Sequence, residues 1–220
     1  PARIHMGIIL KKEGKLEIAI THVHEALEKK KDQANLYVFL SSLYEDAKRV
    51  ADAENILKQG LASMPRSSDL LYALGTIYEK TNRFPEAVKS MESILKNDPE
   101  HADALNFIGY SYADRGMNLD EAERMIIKAM QIKPGNGYIT DSLGWVYYKK
   151  NNLDKAIKYL KDASNLQPED AAIAEHLGDA YAKAGKINEA LEMYKKALKL
   201  NPGSNTLPKK INNLAQHKNP

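Results

Sequence analysis

A recurrence every 34 residues constrains the fold of this chain more than any other feature. The pair Leu143–Gly144, within the stretch DSLGWVYY, returns as Leu74–Gly75 and Leu177–Gly178. Related pairs stand at Met6–Gly7, Leu40–Ser41 and Ile108–Gly109. Successive pairs are 34 residues apart, apart from one interval of 35. A fixed period of this length predicts an array of equal structural units, each too small to bury a core alone.

Other positions repeat in register with this pair. An aromatic residue follows the glycine column by three residues in five of six units: Leu10, Tyr44, Tyr78, Tyr112, Tyr147 and Tyr181. An alanine column is unbroken: Ala19, Ala53, Ala87, Ala122, Ala156 and Ala190. A large apolar column follows: Val23, Leu57, Met91, Ile126, Leu160 and Tyr194. A mostly small column comes next: Ala26, Gly60, Ile94, Ala129, Ala163 and Ala197. These columns predict two amphipathic helices per unit, crossing closely where the small residues lie.

The ends of the helices are also visible in the sequence. Five units close on a proline, which a helix seldom continues through: Pro65, Pro99, Pro134, Pro168 and Pro202. The turn inside five units carries a residue that tolerates left-handed geometry: Gly14, Asn82, Gly116, Asn151 and Gly185. Lys48 takes this place in the second unit, so the sequence does not predict the geometry of that turn. The fourth unit has one extra residue near DRGMNLD, which predicts a longer turn.

The chain resembles the tetratricopeptide repeat (TPR) family. The period of 34, the pattern L-G-x-x-Y, and the later alanine and proline positions match the signature of that family over roughly residues 1–204. The family's early tryptophan, three residues before the leucine column, is missing. The resemblance implies an all-α, right-handed α-solenoid of six helical hairpins plus a C-terminal capping helix. The six units are expected at 1–33, 34–67, 68–101, 102–136, 137–170 and 171–204.

Residues 205–220 are expected to form the capping helix and a tail. Leu207, Ile211, Leu214 and Ala215 lie on one helical face, and Asn212 stands where the next glycine would be. A solenoid needs such a polar cap because an open end exposes the stacking face. The first unit begins inside an apolar-periodic segment, so self-association through an open N-terminal repeat is a further expectation.

Composition excludes several classes of function. There is no cysteine, which rules out disulfides, thiolate zinc sites and a cysteine nucleophile. The 32 basic and 29 acidic residues give a net charge of +3, which offers no whole-chain argument for nucleic acid or an anionic membrane. No apolar run approaches the ~18 residues of a membrane span, so no membrane insertion is expected. His22 and His24 in HVHE lie on different helix faces, unlike a zincin helix, and PGNG at 134–137 lacks the Lys-Ser/Thr of a phosphate loop. We therefore predict no metal, no cofactor, no catalytic residue and no enzyme activity.

Function is expected at positions outside the repeat columns. The resemblance implies that the first helix of each unit lines a concave, ligand-binding groove. Helical periodicity places an exposed stripe at the second, fifth, ninth and twelfth residues of each first helix. The partner-binding residues predicted from this stripe are Tyr72, Thr76, Asn106, Tyr110, Tyr138, Asp141, Trp145, Tyr148, Glu175 and Asp179. Tyrosine and tryptophan are enriched at binding hot spots because they bury large areas at low entropic cost.

Two interpretations of these side chains stay open. A large aromatic residue here could bind a partner, or could pack against the neighbouring first helix. Trp145 favours binding because it does not occupy the structural tryptophan position of the family. Asp141, Glu175 and Asp179 could attract a cationic partner or form a solvated face.

The predicted function is a non-enzymatic scaffold that binds a protein or peptide with apolar or basic side chains. The alternative is an RNA-binding helical repeat protein, which would need a basic groove. The acids Asp103, Asp141, Glu175 and Asp179 oppose phosphate, so no nucleic acid is expected. Some TPR proteins bind chaperone C-termini through Lys, Arg and Asn on successive first helices. That pattern is absent from the fifth positions here: Ile4, Val38, Tyr72, Asn106, Asp141 and Glu175.

Residues 105–156 are also similar to bacterial multi-TPR proteins, some of which resemble envelope lipoproteins that dock a C-terminal processing protease. This similarity implies a bacterial origin and an adaptor role in an envelope complex. It leaves open whether the chain works in the periplasm or the cytoplasm.

Overall fold

The computed structural model describes residues 2–216, and this part of the chain is all-α. It contains thirteen α-helices and no β-strand between those residues. None of the described helices is both long enough and apolar enough to cross a membrane. The all-α helical-repeat fold expected from the sequence is confirmed. The chain divides after Pro99 into two compact units, which are described separately.

Unit 1 consists of three helical hairpins. Its helices are α1 (Ala2–Lys12), α2 (Leu16–Lys29), α3 (Ala34–Asp46), α4 (Val50–Ser63), α5 (Ser68–Lys80) and α6 (Phe84–Asn97). Each odd-numbered helix packs against the even-numbered helix that follows it, and α2 and α4 also pack against the next first helix. Every helix therefore contacts mainly its neighbours in the chain, as in a linear repeat array.

Unit 2 repeats this arrangement and adds one helix. Its helices are α7 (Ala102–Asp114), α8 (Leu119–Ile132), α9 (Gly137–Lys149), α10 (Leu153–Leu166), α11 (Ala171–Lys183), α12 (Ile187–Leu200) and α13 (Leu207–Gln216). The first helices α7, α9 and α11 begin at side-chain caps: His101, Asn136 and Asp170 each accept a hydrogen bond from a backbone N–H of the first turn. These caps fix where each first helix starts and so which side chains share a face.

The repeat columns form the core within each hairpin. All six members of the alanine column are 0% exposed, and the large apolar column is buried throughout, with only Tyr194 above 0%. Burying one such large side chain stabilises the fold by about 1.5–3 kcal/mol. Gly144 shows why its column is small: an added Cβ would lie 2.6 Å from Cγ of Leu160 on the partner helix.

The left-handed turns predicted from the sequence are present. Gly14, Asn82, Gly116, Asn151 and Gly185 all have positive φ. The sequence did not predict the geometry of the turn at Lys48. This residue also adopts φ 60°, so the turn is left-handed despite an unfavourable residue type. The extra residue of the fourth repeat lengthens the turn between α7 and α8, where Asn118 becomes a second left-handed residue.

The two ends of the described chain differ in how their apolar residues are covered. In α1, Met6 is 47% and Ile9 is 50% exposed, whereas their equivalents in α3, Leu40 and Leu43, are 0% exposed. At the other end, Leu207 of α13 is 1% exposed and joins a core cluster with Tyr194 and Ala197. Helix α13 therefore covers the last hairpin, while the first hairpin presents apolar side chains.

Candidate functional site

The predicted partner-binding residues fall in both units. Tyr72 and Thr76 lie in α5 of unit 1, where both are half-buried and the Thr76 hydroxyl donates to the Tyr72 carbonyl at 3.0 Å. The other eight lie in unit 2, on α7, α9 and α11. We call the side chains that these three helices present at the predicted stripe positions the first-helix face of unit 2.

An aromatic stack occupies the centre of the first-helix face. The Trp145 ring lies between Tyr148, with centroids 4.6 Å apart, and His176 of α11, with centroids 4.3 Å apart, and both pairs are nearly parallel. Tyr110 of α7 approaches the other side of this group, with its ring 6.4 Å from that of His176. Trp145 is only 8% exposed, and its indole N–H donates to Asp114 Oδ1 at 3.3 Å. The stack thus joins three consecutive first helices.

A buried carboxylate anchors this stack. Asp141 is 7% exposed, and its two oxygens lie 2.9 and 3.1 Å from Nδ1 of His176. Burial opposes the charged imidazolium, but the hydrogen bond to Asp141 and the negative charges of Asp141, Asp179 and Glu175 outweigh it, so the pKa of His176 is raised. The protonated ring also stacks favourably on the electron-rich face of Trp145.

The two acids of α11 are paired with the capping helix. Lys210 Nζ lies 2.8 Å from Glu175 Oε1, and 2.6 and 2.8 Å from the oxygens of Asp179. The Tyr194 hydroxyl of α12 also donates to Asp179 at 2.7 Å. Burial opposes the charge on Lys210, yet these hydrogen bonds and charges raise its pKa. Glu175 and Asp179 therefore already have an intramolecular cation.

These contacts form a short ladder with the period of the repeat. Asp141 and Glu175 hold the same position in α9 and α11, and each contacts a cation 35 residues later, His176 or Lys210. In α7 the position of Asp141 is occupied by Asn106, and in α9 the position of His176 is occupied by Ser142. The Ser142 hydroxyl instead donates to a carbonyl of its own helix, and Asn106 Oδ1 is buried without a hydrogen-bond partner among the described residues. The ladder thus begins at α9.

The accessible part of the first-helix face lies around the stack. Tyr138, at the start of α9, is 54% exposed, and Tyr148 and Tyr110 are partly exposed. Lys183 lies 4.5 Å from the Tyr148 ring centroid and donates to the Tyr148 carbonyl. Lys149 similarly lies 5.0 Å from the Trp145 ring and donates to the Asp114 carbonyl. The rings of Trp145 and Tyr148 are therefore held by their surroundings before any partner binds.

Sequence reasoning missed His176, Lys210 and Asp114. His176 and Lys210 fall one residue after the predicted stripe position, so the stripe alone did not select them. Their 35-residue offset from an acid was the available signal. The structure also shows that Trp145 and Asp141 are more buried than a stripe residue was expected to be. Their direct contact with a partner stays a prediction. Within residues 2–216, no group of three or more metal-binding side chains is positioned to hold an ion.

Comparison with known families agrees with the repeat geometry. Two models described as tetratricopeptide repeat match residues 46–109 and 142–205, together more than half of the chain. The chain belongs to the tetratricopeptide repeat family. The TPR fold is generally a non-catalytic scaffold for protein–protein interactions.

One curated relative of this TPR chain is a TPR repeat-containing protein of Pseudomonas aeruginosa, 29% identical over 151 residues. The match covers 68% of this chain, which spans about a quarter (26%) of the relative's length.

Solved structures share the fold at low sequence identity. The Cut9–Hcn1 hetero-tetramer of the APC/C has a TM-score of 0.82 at 16% identity, covering 95% of this chain and 41% of that one. A TPR protein of Thermus thermophilus has a TM-score of 0.72 at 21% identity, covering 84% of this chain and 100% of its own. PilF of Pseudomonas aeruginosa also has a TM-score of 0.72, at 17% identity, covering 94% of both chains. At these identities the likeness extends to the fold alone.

Proposed function

We propose that this TPR chain is a scaffold that binds an extended or helical segment of a partner protein on the first-helix face of unit 2. The observation that supports this most is the packed stack of Trp145, Tyr148 and His176, with partly exposed tyrosines beside it. In this proposal Tyr138, Tyr148 and Tyr110 contact the partner. Trp145 and Asp141 hold the surface from below, because both are buried.

Preorganisation gives this surface its affinity. Association normally costs about 0.5–1.5 kcal/mol for each flexible side chain that becomes ordered. Tyr148 is already fixed between Trp145 and Lys183, so little of this cost remains when a partner binds. Partly exposed aromatic rings fixed in this way are typical of binding hot spots.

The pairing of the acids refines the kind of partner. Asp141, Glu175 and Asp179 are balanced by His176 and Lys210, and Asp103 by Lys133 at 2.7 Å. The face therefore attracts basic side chains less strongly than its acids alone would suggest. We propose that apolar and aromatic side chains of the partner make the main contacts. Basic side chains of the partner make a weaker, additional contact with Glu175. Asn106 contributes through its amide N–H₂, and Tyr72 and Thr76 form a separate contact site on unit 1.

The similarity to a Pseudomonas aeruginosa relative favours a bacterial adaptor, and an envelope complex is the setting we propose. The RNA-binding alternative finds less support on this face. Lys149 of α9, Lys183 of α11 and the neighbouring Lys210 of α13 each already lie over an aromatic ring or against an acceptor of the chain itself. A phosphate backbone would have to compete with those contacts.

Selection from a displayed library of random peptides tests this function. We expect peptides rich in apolar and aromatic residues, bound about tenfold more weakly by the Tyr138→Ala, Tyr148→Ala double variant, because hot-spot tyrosines each contribute on the order of 1 kcal/mol or more. Met117→Ala is the matched control, since Met117 is a 45% exposed side chain in the α7–α8 turn. Trp145→Ala is unsuitable because it would leave a cavity.

Equal binding by the double variant and the Met117→Ala control would place the interaction elsewhere. Circular dichroism must show that helicity is retained in both. A labelled oligouridine that binds the wild type with a steep salt dependence, and competes with the peptides, would favour RNA instead.

A further inference from the structure

His176 is the one described histidine sealed between aromatic rings and a carboxylate. Its side chain is 14% exposed, and its ring bridges α9 and α11 by two different contacts. One is the hydrogen bond from Nδ1 to Asp141, and the other is the stacking of the ring on Trp145 at 4.3 Å. Both contacts are stronger when the ring is an imidazolium. The proton on this ring therefore affects how firmly α11 is fixed to α9.

The acidic groups nearest His176 favour that proton. From α9 it faces Asp141, and on its own helix it lies near Glu175 and Asp179. Asp179 also accepts hydrogen bonds from Lys210 of α13 and from the Tyr194 hydroxyl of α12. From α7 it faces the Tyr110 ring. Helices α10 and α12 also present charged side chains to the Leu177–Tyr181 side of α11: Lys161, Glu189, Glu192 and Lys196.

We infer that His176 is a positioning residue with a pH-sensitive role: its protonation locks the Trp145–Tyr148 stack between α9 and α11, and its deprotonation loosens it. In the neutral state the buried Asp141 carboxylate loses its counter-charge and keeps at most one hydrogen bond from the ring. A buried carboxylate without a counter-charge is costly, so the α9–α11 contact weakens.

The direction of the pH effect follows from the raised pKa of His176. Because the ring binds its proton more tightly in the folded chain than in the unfolded chain, the stabilisation is fully present below the ordinary value of 6.5. It is lost as the pH rises through the higher folded value. The stack is therefore firm in mildly acidic solution and loosens toward alkaline pH. If the proposed function holds, affinity for the selected peptides falls over the same pH range.

The single tryptophan makes the inference testable without any partner. Trp145 is the only tryptophan of the chain, and an imidazolium stacked on indole quenches its emission. We expect the fluorescence of the wild type to rise as the pH increases, with a midpoint above pH 6.5. The Cε1–H resonance of His176 should titrate with the same midpoint. His176→Gln should abolish the fluorescence step. Asp141→Asn keeps the imidazole of His176 but removes the carboxylate charge beside it, so the midpoint of the fluorescence step should move to lower pH.

His101→Asn is the matched control within unit 2. It removes a different titratable histidine while keeping a residue type that caps α7 well, so the fluorescence step should remain. A wild-type midpoint at or below 6.5, or a step that persists in His176→Gln, overturns the inference. A midpoint unchanged in Asp141→Asn does so as well, and this variant remains informative where His176→Gln fails to fold.

The peptide measurement separates this inference from the proposed function. A fluorescence step with the expected midpoint, together with no peptide binding at any pH, would retain the switch and reject the binding surface. Peptide binding that is lost in the tyrosine double variant but is independent of pH would retain the surface and reject His176 as its regulator.

Discussion

At the residue scale, two members of the glycine column have different room for a methyl group. An added Cβ at Gly144 would lie 2.6 Å from Leu160 Cγ and 3.1 Å from the Leu160 backbone nitrogen. The tightest contact of a Cβ at Gly75 would instead be the terminal methyl of Met91, which can move aside. The same substitution should therefore differ in effect between two equivalent positions.

We expect Gly144→Ala to lower the free energy of unfolding by about 1–2 kcal/mol, since overpacking costs about 1–3 kcal/mol and alanine returns up to about 1 kcal/mol of helix propensity. Gly75→Ala should change it by less than about 0.5 kcal/mol. Urea titrations followed by circular dichroism would measure both. Similar losses at the two positions would mean that the column is set by something other than the facing side chain.

The residues also show what a single sequence can and cannot predict. The alanine and large apolar columns are buried in every hairpin because a repeat unit places the same position in the same environment. The burial of Trp145 depends on His176, which lies 31 residues later on another helix. Helical periodicity orders side chains around one helix, and it does not say which long-range side chain will cover them.

At the element scale, α13 is held by a mixture of apolar and ionic contacts. Leu207 is buried and Ile211 and Leu214 pack beside it, whereas Ala215, the fourth residue expected on this face, is exposed. Lys210 adds the ionic contacts to Glu175 and Asp179, which the sequence did not predict. An amphipathic pattern identifies the apolar face, whereas a cation at the edge of that face finds its partners only in the folded chain.

We expect Lys210→Ala to weaken the docking of α13 by about 1 kcal/mol, a moderate value because the pair is partly exposed and screened. Hydrogen exchange at the backbone amides of α13 should become about fivefold faster. Lys209→Ala is the matched control, because Lys209 is exposed on the same helix. Equal acceleration in both variants would show that loss of positive charge, rather than the contact with α11, explains the effect.

At the scale of the whole molecule, stability in a repeat protein is roughly a sum over neighbouring units. Each of the two compact units contains three helical hairpins, which is about the minimum number of repeats that such an array needs to be stable. Trp145 reports on unit 2 alone, whereas circular dichroism reports on all thirteen described helices. The two signals can therefore show whether a defect in one unit is transmitted to the other.

Leu57 of unit 1 and Leu160 of unit 2 give a matched pair for this test, since both hold the large apolar column and both are 0% exposed. Each substitution to alanine should destabilise its own unit by about 2–5 kcal/mol. We expect Leu160→Ala to lower the urea midpoint of the Trp145 emission. Leu57→Ala should lower the urea midpoint for part of the circular dichroism signal, while shifting the midpoint of the Trp145 emission much less. If both variants shift the Trp145 midpoint equally, the chain unfolds as one cooperative block, and coupling between repeats exceeds the nearest-neighbour expectation.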